Sequence, residues 1–381
     1  MNSREEPKTP RQELEEHLPS RPSNGPCEIQ YCIAYPVVGT ETSAMTVRTI
    51  PNGETDAAQL GKNEDRPPLQ APPNLYCESG RRRSMATSSD SASVLREQIE
   101  ADEIAVMPGS YDAISAMQAE RAGFPAVFTS GLSLSASLLG KPDLGLLTMT
   151  ENVDRVRTIA SCLNVPLVAD MDTGYGNALN VRRTIENVMD AGVAGVILED
   201  QVWPKRCGHM REKRVVPTED HARRIRAAAD VRQERDSDLV IIGRTDAREP
   251  RGLEEAIDRG HIYEEAGADV IFVEAPHSLE ELDEIAQSFT APTFANMIEG
   301  GITPYLSAEE LETIGFDIVV YPLTALFAAV HAMDEAFTTL RATGTARDVR
   351  AVNFGEFEAI IDAESFRDRE RDYAGLRFSG P

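Results

Sequence analysis

Val193-Ala194-Gly195-Val196-Ile197-Leu198-Glu199-Asp200 and the loop that follows it, Lys205-Arg206-Cys207-Gly208-His209, hold the key to the chain. The apolar run is of strand length and reads as a buried strand. It ends on two carboxylates. A lone cysteine then sits in a polar, glycine-containing, basic loop. Its neighbours Lys205, Arg206 and His209 favour a thiolate and would lower the thiol pKa, the setting of a working sulfur. Taken alone, the pentapeptide reads equally well as an ordinary surface loop.

Outward from this stretch the pattern repeats. Strand-like runs fall at Ile104–Met107, Ala126–Thr129, Pro166–Ala169, Gly195–Leu198, Leu239–Gly243, Val270–Val273, Thr293–Ala295 and Ile318–Val320. Amphipathic helical segments lie between and after them, near 112–122, 150–162, 180–191, 218–234, 253–266, 278–288, 307–314 and 323–343. Thr150, Thr218 and Ser307 precede acidic residues and suit helix starts. Ala-Gly pairs at 122–123, 191–192 and 266–267 suit helix ends. Eight strand–helix repeats predict an α/β fold, a closed parallel (β/α)8 TIM barrel over 86–345. An open dinucleotide-binding sheet is disfavoured, because no Gly-x-Gly-x-x-Gly follows the first strand. Beyond the barrel, 346–381 reads as a C-terminal helix, Val352–Ile361, and a charged, loosely held tail from Ser365. Residues 1–85 are rich in Pro, Ser, Asn and Glu, with only Ile29 to Val38 resembling a strand, and are expected to be disordered. Met85, just before a helical run, is a candidate native start.

A barrel places functional groups at the carboxyl ends of its strands. Those ends carry Ser130-Gly131, Asp170-Met171-Asp172-Thr173-Gly174-Tyr175-Gly176, Glu199-Asp200, Arg244-Thr245-Asp246, Glu274, Asn296 and Tyr321-Pro322. Asp170 and Asp172 share a face if the strand continues. With Glu199 they form an oxygen-only cluster suited to Mg²⁺, with Mn²⁺ as the alternative. Asp143 either adds an outer carboxylate or serves a turn. Arg244 suits a substrate carboxylate, an ion pair with Glu199 or Glu274, or both. Ser130, the Gly131 N–H and Asn296 supply neutral donors. The six histidines show no metal-binding spacing.

Composition narrows the classes. The net charge is −25, and residues 1–85 hold 10 basic against 12 acidic side chains, so the excess lies in the folded part. Such a surface disfavours nucleic acid and is what a protein kept soluble in high salt would carry. A halophilic source is therefore expected. A melting temperature that does not rise from low to molar KCl would refute it. No apolar run reaches membrane-spanning length, and the cysteines at 27, 32, 77, 162 and 207 show no paired spacing. A reducing, cytoplasmic setting is expected, with no membrane partner.

With these motifs assembled, the chain resembles the isocitrate lyase / phosphoenolpyruvate mutase superfamily over about 95–345. The resemblance rests on Ser130-Gly131, Pro142-Asp143-Leu144-Gly145, Asp170-x-Asp172-Thr173-Gly174-Tyr175-Gly176, Glu199-Asp200-Gln201, Lys205-Arg206-Cys207-Gly208-His209, Arg244-Thr245-Asp246-Ala247 and Ala295-Asn296-Met297-x-Glu299-Gly300-Gly301. It implies a Mg²⁺-dependent barrel that makes or breaks C–C or P–C bonds beside a pyruvate-like enolate. It further implies a homotetramer whose subunits exchange a C-terminal helix. The Cys-Gly-His loop marks the lyase branch, where it closes as a lid. By this resemblance Asp170, Asp172, Glu199 and Asp143 surround the metal, directly or through water. Cys207 is the proton donor, and Arg244 clamps a carboxylate. Ser130, Gly131, Gly208, His209, Glu274 and Asn296 contact substrate. The implied substrate is a small hydroxy di- or tricarboxylate, as in 2-methylisocitrate lyase and dimethylmalate lyase. Two departures bear on substrate choice. Phe128 stands where several lyases have a tyrosine, leaving Tyr175 or a metal-bound hydroxide as base. Met297-Ile298-Glu299-Gly300-Gly301 resembles the dimethylmalate-lyase and carboxyphosphonoenolpyruvate-mutase side. A phosphonate mutase or hydrolase, an oxaloacetate-cleaving enzyme and a non-catalytic barrel are the alternatives.

Overall fold

The computed structural model describes residues 88–375. The extension expected to be disordered over 1–85, its short strand and the candidate start at Met85 lie outside the described residues.

Every expected strand forms: β1 Ala105–Pro108, β2 Val127–Thr129, β3 Leu167–Asp170, β4 Gly195–Glu199, β5 Val240–Thr245, β6 Val270–Val273, β7 Phe294–Asn296 and β8 Ile318–Tyr321. All neighbouring pairs are parallel, β2 to β6 forming one run and β7-β8-β1 another. Two further parallel bridges, Gly109 to Phe128 and Ile271 to Thr293, join the runs into a ring. The Ser110 N–H donates to the Phe128 carbonyl at 2.7 Å and the Ile271 N–H to the Pro292 carbonyl at 2.9 Å across these seams. The sheet is thus closed, which removes its edges.

Both faces of each strand are covered, and this is why the runs are continuously apolar instead of alternating. Inward residues such as Met107, Val168, Ile197, Ile242 and Val320 fill the lumen. Their neighbours Val127, Leu167, Val196, Leu198 and Ile241 pack beneath the outer helices. The helix Ser88–Ile99 sends Ala92, Leu95 and Ile99 into the lumen cluster. Leu95 Cδ2 lies 2.9 Å from where a Cβ on Gly195, the first residue of β4, would stand. The amino-terminal end of the barrel is therefore plugged, and a side chain at 195 would displace the plug. Phe128, Phe272 and Phe294 stack near the carboxyl end, with ring centroids 6.2 and 4.7 Å apart, and form an apolar floor.

Local chemistry sets the helix boundaries and corrects several expectations. Ser307 caps Ala308–Ile314 in a reciprocal box with Glu310. Thr148, not Thr150, caps Met149–Ala160, with Glu151 reaching back to it. Thr218 is already helical, following Pro217, and makes no side-chain cap. A helix over Gly131–Leu139 went unseen in the sequence, where Leu-Ser alternation hides a helical period. The tail forms two helices, Phe354–Ile360 and Ala363–Gly375. Asn353 boxes the first, while Glu364, Arg367, Asp368 and Arg371 pair along the second. Ser365 onward is thus helical up to Gly375, where a loose tail was expected.

His221, on the helix Thr218–Glu234, is buried against the Tyr263 ring at 4.6 Å. Burial, helped by Arg224, holds its pKa down at about 3. An unfolded histidine titrates near 6.5, so below that pH the unfolded chain takes up a proton that the folded one refuses. Its contribution is complete above pH about 6.5 and fades toward pH 3. Between pH 7.5 and 5.5 it should cost about 1 kcal/mol of stability. Urea titrations at both values should show a larger acid loss in the wild type than in His221→Phe; equal losses would refute this.

Candidate active site

The polar strand ends meet at the carboxyl rim. The cavity there is lined by Ser130, Gly131, Asp143, Asp170, Lys205, Cys207, Gly208, His209, Arg244, Glu274 and Asn296, above the three phenylalanines. It encloses about 30 Å³, room for one or two waters. The Lys205–His209 loop therefore stands closed over it.

Several elements hold the loop down. The Cys207 N–H donates to the Asp143 carbonyl at 3.1 Å. Gln201 clamps Arg206 through both its carbonyl and N–H, at 2.7 and 2.9 Å. Lys213, buried, donates to the Gly208 carbonyl at 2.5 Å and to Asp246 at 3.0 Å. His209 Nδ1 accepts from the Ile302 N–H at 2.9 Å, which leaves the proton on Nε2, 3.1 Å from Glu274. A Cβ on Gly208 would sit 2.5 Å from both Arg244 Nη2 and the Glu274 carboxyl carbon. Only glycine lets the loop come this close.

Lys205 closes over the carboxylates, its ammonium 2.7 Å from both Asp143 and Asp172. It also lies 2.7 Å from where a Cβ on Gly131 would be. Asp172 and Tyr175 both take positive φ, 50° and 62°, and a tyrosine is uncommon there. Asp170 accepts from the Gly131 N–H at 3.1 Å and from the Asp172 N–H at 3.0 Å. Glu199 is fully buried, and neither of its oxygens accepts a hydrogen bond. Arg244 Nη1 approaches it only to 3.4 Å.

Arg244 is held as a fork. Its Nε and Nη2 donate to Asp246 at 2.9 and 3.0 Å, Nη2 lies 3.1 Å from Glu274, and the guanidinium rests 5.1 Å from the Phe272 ring centroid. Both ion pairs expected for it, with Glu199 and Glu274, are present, and Asp246 adds a third carboxylate. Behind it Asp200 accepts from Thr245, Arg259, Tyr263 and the Asp246 N–H, anchoring the turn after β5.

Charge in this enclosed space moves the titrations. Burial pushes Glu199 well above the carboxylate range, only partly offset by Arg244 and Lys205. Burial also raises Asp172, against the pull of Lys205. Glu274 goes the other way: Arg244 and His209 outweigh its burial and hold it well below the usual range. Cys207 corrects the sequence reading. Burial pushes its thiol up to about 11, so at neutral pH it is a thiol and not a thiolate. The His209 backbone and Lys205 pull it down, but burial outweighs them and Asp143 and Glu274 push the same way as burial. Lys205 is shared by two aspartates, Arg206 turns outward to Glu212 at 3.5 Å, and His209 Nε2 lies 3.1 Å from Glu274.

Other expected site residues also have partners within the protein. Ser130 Oγ caps the helix Gly131–Leu139 by accepting from the Ser133 N–H, and the Gly131 N–H serves Asp170. Asn296 Nδ2 donates to Glu274 at 3.2 Å. Tyr175 is not among the cavity-lining residues; its hydroxyl accepts from Asn152 at 2.8 Å. Asp143 pairs with Lys205. Among the described residues, no three acidic, His or Cys side chains converge as a direct metal cage. Gln201 and Asp246, which shape the closed loop and the Arg244 fork, stood in the motifs without a role, and Lys213 lay outside them.

A parallel barrel whose rim joins buried carboxylates, a forked arginine and a loop-borne thiol is the scaffold of an enzyme acting on small anions. Residues 95–341 match the family model for phosphoenolpyruvate phosphomutase. The chain is 48% identical over 285 residues to the chloroplastic carboxyvinyl-carboxyphosphonate phosphorylmutase of Arabidopsis thaliana, covering 73% of this chain and 84% of that protein. It is 44% identical over 287 residues to the 2,3-dimethylmalate lyase of Eubacterium barkeri, covering 75% of this chain and 99% of that one. The solved structure of oxaloacetate acetylhydrolase with the inhibitor 3,3-difluorooxalacetate superposes with a TM-score of 0.73 at 34% identity, over 77% of this chain and 100% of that one. The chain belongs to the phosphoenolpyruvate mutase / isocitrate lyase superfamily and is an enzyme of it, similar to its carbon–carbon lyases.

Proposed function

We propose that this enzyme cleaves the C2–C3 bond of a 2-hydroxy di- or tricarboxylate, releasing a 2-keto acid such as pyruvate and a smaller carboxylic acid. The observation that carries the reading is the position of Cys207, whose thiol, kept protonated by burial, lines the same cavity as the acidic cluster. A protonated sulfur at that position suits delivery of a proton to a carbanion.

The residues present fit a divalent cation such as Mg²⁺. Glu199 keeps two unpartnered, buried oxygens, and burial lifts it because local positive charge is insufficient. Asp170 retains lone pairs beyond its two backbone donors. With Lys205 on Asp143 and Asp172, the set fits a hydrated hard cation better than an all-protein cage. Glu199, Asp170 and Asp172 would hold it. When bound, it supplies Lewis-acid polarisation of the substrate's carboxylate and hydroxyl oxygens. Phe128 has no hydroxyl and Tyr175 does not line the cavity, so a carboxylate of this cluster takes the C2 hydroxyl proton. The oxygen lone pair then forms the keto C=O as the C2–C3 electrons pass to C3, where the adjacent carboxylate delocalises them. Cys207 Sγ gives its proton to C3. Arg244 Nη1, its one nitrogen outside the Asp246 fork, faces the charge that develops. The test is release of a 2-oxo acid with Mg²⁺ over a panel of 2-methylisocitrate, isocitrate and 2,3-dimethylmalate, with oxaloacetate followed by release of oxalate and acetate. EDTA should abolish it and added Mg²⁺ should restore it. Release unaffected by EDTA, or conversion of phosphonopyruvate alone by phosphorus NMR, would refute it.

Loop closure excludes water in this reading. Gly208→Ala should lower kcat/KM by about 10²-fold through misplaced site groups, with an unchanged Tm and faster tryptic cutting at Arg206. Wild-type turnover would show that the close approach is dispensable.

We further propose a homotetramer with an exchanged C-terminal helix. The segment expected to exchange, 346–381, leaves Phe354, Phe366 and Tyr373 exposed, and the preceding helix Thr324–Thr343 buries none of its residues, with Phe327, Val330, Phe337 and Leu340 exposed along it. Such a stripe is costly to leave in water. Phe337→Glu should shift the light-scattering mass toward monomer; an unchanged mass would refute the exchange.

A further inference from the structure

We propose that the cavity selects a hydroxy dicarboxylate bearing an alkyl branch and turns away a third carboxylate. This rests on the lyase reading and narrows it. The barrel order splits the rim in two. The β3–β6 half carries Asp170, Asp172, Glu199, Arg244, Asp246 and Glu274. The β7–β8–β1–β2 half lines the cavity with Asn296, Ile298, Pro322, Leu323 and Leu132 beside Ser130 and Gly131. No lysine, arginine or histidine of that half lines the cavity.

The cations that do line it are Lys205, Arg244 and, when protonated, His209. Each already faces carboxylates: Lys205 two aspartates, Arg244 Asp246, Glu274 and Glu199, and His209 Glu274. Arg244 Nη1, 3.4 Å from Glu199, remains to meet one substrate carboxylate. The acidic cluster with its cation meets the other. A third would face Ile298, Pro322 and Leu323 with no cation of that half to pair it, and a buried charge without a counter-charge is strongly disfavoured. The same wall favours a methyl group, which hydrogen on the same carbon would leave unfilled.

The experiment compares kcat/KM for 2,3-dimethylmalate, 2-methylisocitrate and oxaloacetate, with calorimetric titration of the first two in excess Mg²⁺. Expected is a preference of about 100-fold or more for dimethylmalate over 2-methylisocitrate, the scale of one unpaired buried charge. Ile298→Lys should narrow it. Equal or better cleavage of 2-methylisocitrate would overturn the inference while leaving the lyase reading intact. A preference for oxaloacetate, which lacks the C2 hydroxyl and yields oxalate and acetate, would overturn both. Absence of keto acid from both hydroxy acids would refute the lyase reading. The titrations then decide this inference alone: tighter binding of dimethylmalate supports it, and equal or tighter binding of 2-methylisocitrate overturns it.

Discussion

Cys207→Ser should lose cleavage by about 10²–10⁴-fold, the usual weight of a positioned general acid, while still binding keto-acid product and metal. The thiol lines the cavity and is protonated because burial pushes it up to about 11. Serine keeps nearly the same shape but its hydroxyl is a far poorer acid, so the carbanion would wait on solvent that the closed loop excludes. The fold should not notice. The loop is held by the Cys207 backbone, Gln201, Lys213 and His209, none of which needs the sulfur. The checks are kcat, product affinity by calorimetry and Tm on one preparation. Near-normal turnover would remove Cys207 from the chemistry, and loss of product binding would recast it as a structural residue.

Arg244→Met should be the more damaging change, because it acts on stability and on chemistry together. Arg244 balances Asp246, Glu274 and Glu199 in a space where charge is poorly solvated. Removing it leaves Asp246 with Lys213, Glu274 with His209, and Glu199 with nothing bonded to it. Breaking a buried ion pair on one side costs about 3–5 kcal/mol, so a clear drop in Tm is expected. Cleavage should fall below detection as the group facing the developing charge disappears. Arg244→Lys separates the two effects. A lysine keeps the charge but not the fork over Phe272 and Asp246, so it should recover much of the stability and little of the activity. Full activity in the lysine variant would contradict a role for the fork.

The fold was legible because its strands are covered on both sides. Runs such as Val270–Val273 are apolar without interruption, and polar residues begin where each strand emerges at the rim. Which polar residues gather at the rim was legible for the same reason. What the sequence hid was who partners whom. Lys205 and Arg206 are adjacent in the chain, yet one is buried between two aspartates and the other reaches solvent. The thiolate expectation failed chiefly on burial, which outweighs Lys205, since proximity in sequence says nothing of how deeply a thiol is buried. Ser130 looked like a substrate donor, but a helix starting at Gly131, masked by Leu-Ser alternation, uses it as a cap. Lys213 lies beyond the motif and reaches the site only once the loop folds back.

The most direct measurement is proton NMR of the cleavage products formed in D₂O with Mg²⁺. A proton handed over by the Cys207 thiol should appear as a single deuterium, on one face only, at the carbon that had been C3, alongside new keto acid. Mixed stereochemistry or multiple deuteration at that carbon, or no keto acid at all, would contradict the account.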